Sequence, residues 1–122
     1  MDKEVFDYVA ERVDVLATAD SSKQATKDAA SAWKAAVAAD SSDAAVEKAT
    51  TELLDFLEGR PTTIDGVIAF AEGPAKDLMG EEAAAKMAEA QKARKEAGAK
   101  WCNCPSCTAA SEILAKFGRV EL

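Results

Sequence analysis

Histidine is absent from all 122 residues, and that single gap removes the usual proton relay of serine and cysteine hydrolases as well as the commonest nitrogen ligand for metals. Aromatic residues make up only 6% of the chain and β-branched residues are sparse, so no strand pattern competes with helix. No apolar run reaches the length of a membrane span, and the charged start Met1-Asp2-Lys3-Glu4 lacks the apolar region of a signal peptide. There is no glycine-rich phosphate loop, which argues against a nucleotide-driven enzyme. Basic charge is also short: 22 acidic against 15 basic residues give a net charge of −7, a balance unsuited to unaided binding of nucleic acid or an anionic membrane. A cytoplasmic protein is expected, in a reducing setting where thiols stay reduced.

Alanine dominates what is present, with 28 of the 122 residues, and it favours helices that approach closely. The expected fold is all-α: a single-domain bundle of five to six helices over residues 1–122. The first helix spans Asp2 to Thr18, with a stripe of Val5, Val9, Val13 and Leu16. Asp20-Ser21-Ser22 is read as its stop and as the cap of a second helix, Lys23 to Ala38, whose face is Ala25, Ala29, Ala32, Trp33, Ala36 and Val37. Asp40-Ser41-Ser42 repeats the cap signal ahead of the most clearly amphipathic helix, with Val46, Ala49, Leu53, Phe56 and Leu57 inward and Gly59 as its stop.

Thr62-Thr63 then caps an apolar helix from Ile64 to Glu72, whose Ile64, Val67, Ile68 and Phe70 suggest a centrally buried segment; the walls of any apolar cleft would come from Ile64, Ile68 and Phe70, with burial in the core as the default. After Gly73-Pro74, a single turn around Ala75 to Met79 leads to a long, mostly solvated helix from Glu81 to Ala97, closed by Gly98. A last helix from Pro105 to Phe117 places Ile113, Leu114 and Phe117 inward. Trp33 and Trp101 are read as core anchors. Neither Asp65 nor Glu72 has an evident partner in the sequence.

Chemistry is concentrated in Trp101-Cys102-Asn103-Cys104-Pro105-Ser106-Cys107, which holds all three cysteines. An odd number of thiols so close together is no disulfide framework for a fold. Cys104 falls at the N-cap of the last helix and Cys107 in its first turn, where unpaired backbone N–H groups favour thiolate; Lys100 acts in the same direction. Three readings follow. In the first, Cys102, Cys104 and Cys107 bind a metal, with zinc ahead of an iron–sulfur centre. The fourth ligand then comes from a carboxylate, water, an added ligand or a second copy of the chain. In the second, Cys104 and Cys107 form a redox dithiol of the CPSC type, a thiol-disulfide or peroxide-handling enzyme. In the third, the cysteines are inert packing in a helical interaction module. The site reading leans to a non-enzymatic metal or thiol protein whose partner is a metal ion or another protein.

Met1 to Val13, the segment Thr63-Ile64-Asp65-Gly66-Val67-Ile68-Ala69-Phe70-Ala71-Glu72, and Ala97 to Leu114 with its CxCxxC together resemble a group of small all-helical bacterial proteins labelled heat-shock or chaperone-like. That resemblance covers nearly the whole chain and implies a stress-related role without a defined reaction. The CxxC on a helix is also similar to that of the all-helical alkylhydroperoxidase-like domains. Those families place a histidine one turn after the second cysteine, where this chain has Ser111, so their proton relay does not carry over.

Overall fold

The computed structural model describes residues Met1–Leu122, and it is all-α, with seven helices and no strand. The helices are α1 (Lys3–Thr18), α2 (Gln24–Ala39), α3 (Asp43–Leu57), α4 (Ile64–Glu72), α5 (Pro74–Met79), α6 (Glu81–Glu96) and α7 (Pro105–Lys116). The count exceeds the expected five to six because the turn after Gly73 runs for six residues as α5, with Pro74 in its first turn. No helix is long and apolar enough to cross a membrane. The chain divides into two compact units. One comprises Met1–Pro61 with Asn103–Glu121, the other Thr62–Cys102 with Leu122.

In the first unit α1 packs on α2 and α7, and α3 packs on the same two, so the distant α7 closes a ring of four helices. Its core is formed by Val9, Val13 and Leu16 of α1, Trp33 of α2, Leu53, Leu54 and Leu57 of α3, and Ile113 and Leu114 of α7. Burying side chains of this size stabilises by about 1.5–3 kcal/mol each before the cost of ordering them. Trp33 anchors the centre as expected. Its ring lies 5.5 Å from that of Phe6, and its indole N–H donates to Thr50 Oγ1 at 3.1 Å, so the polar edge is satisfied inside the core.

The expected face of α2 is rotated. Ala25, Ala32 and Ala36 are exposed, while Thr26, Ala30 and Trp33 are buried. A helix this rich in alanine has apolar residues all round, so the one large side chain, Trp33, sets which side turns inward. The helix also lacks the cap assigned to it: Lys23 occupies the N-cap and makes no side-chain cap bond. By contrast, Ser42 accepts the N–H of Ala45 at the start of α3, and Asp40 accepts the N–H of Ser42 at 3.0 Å.

The second unit packs α4, α5 and α6 on one another. Thr63 Oγ1 caps α4 by accepting the N–H of Gly66 at 3.0 Å, as its sequence implies. The helix buries one face, Ile64, Val67 and Ala71, and leaves Ile68 and Phe70 half-buried, so central burial is not observed. Small residues explain the arrangement: α6 presents Ala84 and Ala88 on its buried side, which lets its backbone come close to α4. Gly98, at φ +99°, ends α6 in the left-handed region, and the N–H of Ala99 returns to the carbonyl of Arg94 at 3.0 Å.

Ile113→Ala, at a site with no solvent exposure, is expected to cost about 2–5 kcal/mol in denaturant unfolding, against less than about 0.5 kcal/mol for Leu78→Ala at a side chain 75% exposed. The Ser42 N–H holds the Asp40 carboxyl below its ordinary value. Its stabilising contribution is therefore fully present above the ordinary carboxylate pKa of about 3.9 and is lost as pH falls through the lower folded value. An NMR titration should find Asp40 still ionised at a pH where an ordinary aspartate carboxyl, with a pKa of about 3.9, has begun to protonate.

Candidate metal centre

Pro105 opens α7 and has no N–H, which leaves the Ser106 and Cys107 N–H groups of the first turn in need of acceptors. Each finds one. The Ser106 N–H donates to Ser21 Oγ at 3.1 Å and the Cys107 N–H to Cys104 Sγ at 3.3 Å, and the Thr108 N–H makes the first intrahelical bond, to the Cys104 carbonyl at 2.9 Å. Ser22 Oγ donates to Ser106 Oγ at 2.9 Å, and both residues are buried. The Asp20-Ser21-Ser22 turn thus supports the start of α7 rather than the start of α2. It docks the Cys104–Cys107 turn against the four-helix unit.

Cys104 is the N-cap, with φ −64° and ψ 154°, and its sulfur takes the place that a serine or aspartate oxygen fills in other helices. A backbone donor aimed at a sulfur at the positive end of a helix stabilises negative charge on that sulfur. The residues just upstream are held by a different device. The Ile64 N–H donates to the Lys100 carbonyl at 2.9 Å and the Cys102 N–H to the Thr62 carbonyl at 2.8 Å, around an antiparallel bridge between Thr63 and Trp101. The backbone that carries Cys102 is therefore tied to the residues that cap α4. Trp101 is half-buried, less enclosed than a core anchor, whereas Trp33 is 4% exposed.

The sulfurs of Cys102, Cys104 and Cys107 all lie within 4.8 Å of one another. All three residues are half-buried, and none is in a disulfide. The cluster belongs to one continuous stretch of six residues, and its geometry is that of the local backbone. Three thiolates bonded to one zinc at about 2.3 Å in a tetrahedral arrangement stand about 3.8 Å apart, so small side-chain rotations would bring these sulfurs onto one ion. No carboxylate joins the cluster. The two acids noted in the sequence are engaged elsewhere in exposed ion pairs, Asp65 with Lys95 and Glu72 with Lys92 at 3.0 Å. Glu112, one helical turn and a half past Cys107, meets Arg12 at 3.3 Å.

A concavity of about 630 Å³ in the second unit is lined by groups such as Glu72, Lys76, Ala88, Lys92 and Glu96, a mixture of charge and small residues that does not include Ile64, Ile68 or Phe70. Ser21, Ser22 and Thr62 are the supporting residues that sequence reasoning missed. The available signal was a cysteine cap followed by Pro105: it says that the Ser106 N–H needs an acceptor from elsewhere, without saying which.

The chain is thus an all-helical protein with three thiols clustered closely enough to bind a metal ion. Comparison with protein-family models, curated proteins and solved structures finds no match.

Ser21→Ala leaves the Ser106 N–H without its acceptor and is expected to cost about 1 kcal/mol in denaturant unfolding. The exposed control Ser31→Ala should stay within about 0.5 kcal/mol of the parent.

Proposed function

We propose that the protein binds one metal ion, zinc, through Cys102, Cys104 and Cys107, as a small non-enzymatic thiol and metal-binding protein. The observation that carries this reading is the mutual approach of all three sulfurs to within 4.8 Å without a disulfide. Soft thiolates select zinc, Cu(I) and iron–sulfur centres. Zinc is placed ahead of an iron–sulfur cluster because four cysteines are the usual ligand set of such clusters and the chain contains three. Water, an added ligand or a donor from a second copy of the chain completes the zinc tetrahedron. The setting is the cytoplasm, where the thiols stay available, and the resemblance to heat-shock-labelled helical proteins points to a stress-related role.

One contact favours a second reading. The Cys107 N–H on Cys104 Sγ is the type of support that activates the attacking thiolate of a CPSC dithiol, with Cys107 as resolving partner. No histidine stands ready as a base, which sets this reading behind the first.

Untagged protein purified without chelator is expected to carry near-stoichiometric zinc by elemental mass spectrometry. Cys104→Ser should lose the metal while keeping the helical circular dichroism. Protein free of metal after incubation with zinc, with Cys104 titrating as a thiolate well below the reference of about 8.5, would instead support the dithiol.

A further inference from the structure

We infer that the three-sulfur site is an exchange site for Cu(I), which it takes in place of zinc. This rests on the reading that the three sulfurs act as one metal site, and it names a softer ion that the same donor set takes in place of zinc.

Donor number decides the matter. The chain has no histidine, and no aspartate or glutamate joins the cluster, so its own contribution stops at three sulfurs. A structural zinc site is closed by four protein ligands, and with three the zinc keeps an open position. Cu(I) is softer than zinc and carries one positive charge less, so three thiolates in a plane suffice for it. At a bond length of about 2.3 Å the sulfurs of such a plane stand about 4.0 Å apart, against about 3.8 Å around a tetrahedral ion. Sulfurs that all lie within 4.8 Å of one another are close enough to reach the trigonal arrangement by small side-chain rotations.

Exposure and charge fit the same ion. Cys102, Cys104 and Cys107 are each half-buried, so an incoming thiol can reach a bound ion from the solvent side and add as a further ligand before one of the three leaves. Three thiolates and one Cu(I) carry a net charge of −2, one unit more negative than the zinc form. The start of α7, with the Cys107 N–H on Cys104 Sγ, supplies positive potential at the sulfurs. Replacement releases Zn(II) as Cu(I) binds, with no change in oxidation state of either metal or of the sulfurs. The partner class is a thiol-bearing donor or acceptor of Cu(I).

The test uses the full chain, loaded with zinc under anaerobic conditions and titrated with Cu(I) held by a chromophoric chelator. One equivalent of Cu(I) should release the zinc stoichiometrically, and copper X-ray absorption should show three sulfur neighbours. Cys102→Ser should weaken Cu(I) binding by about 100-fold or more, because loss of mere supporting partners of a metal ligand already costs about 10–100-fold. Retention of zinc against Cu(I) would overturn the inference and leave the metal-site reading standing. Unchanged Cu(I) affinity in Cys102→Ser would also overturn it, since a two-sulfur site would then suffice. If the parent chain binds neither ion, the underlying reading fails and this one with it. Cu(I) bound by three sulfurs in a chain that never takes zinc would overturn the exchange, and the zinc reading with it.

Discussion

A helix that begins with proline and a cysteine cap must find acceptors for its first N–H groups, and this requirement at α7 organises the candidate site. A sulfur is a weak acceptor beside a serine or aspartate oxygen, so the cap is reinforced from outside by Ser21 and by the buried Ser22–Ser106 contact. Cys104 gains a defined place and a donor for its sulfur, and Cys107 follows one helical turn later. The backbone of Cys102 is placed by an independent restraint, its N–H on the Thr62 carbonyl. Two local devices in adjoining stretches of chain leave three sulfurs within reach of one ion.

The helices that carry these restraints are stabilised in two different ways. Around α1, α2, α3 and α7, large side chains fill the interior, and the Trp33–Thr50 hydrogen bond lets an indole sit there without an orphaned donor. Around α4, α5 and α6 the buried positions are mostly alanine, and close backbone approach replaces bulk. A core of alanines contributes less apolar area per residue, so the turns bear more of the specification: Thr63 at the start of α4, Pro74 in α5, and the glycines at 80 and 98, both at positive φ.

Much of the helical outline could be read from residues alone, because caps and stops are chemical signals. Ser42, Thr63, Gly59, Gly98 and Gly118 all stand where their chemistry places them. The stripe of α1 was readable for the same reason: Val9, Val13 and Leu16 are large and fully buried. The face of α2 was not, since alanine is indifferent to burial and the four on the expected face outvote one tryptophan in a pattern while losing to it in free energy. Ser21 and Ser22 were misassigned because a serine pair before a helix looks the same whether it caps that helix or one lying 85 residues away in sequence. The cysteine cluster itself was apparent from spacing; its support by Thr62, a tertiary pairing, was beyond local reading.

Whether Cys102, Cys104 and Cys107 converge on one ion can be read from how they react. The decisive measurement is alkylation of the three thiols, followed residue by residue by mass spectrometry, with and without one equivalent of zinc. Convergence predicts that the metal slows all three together, so that chains are found with none modified or with all three. A cysteine among them that reacts at the same rate in the presence and absence of zinc would contradict it.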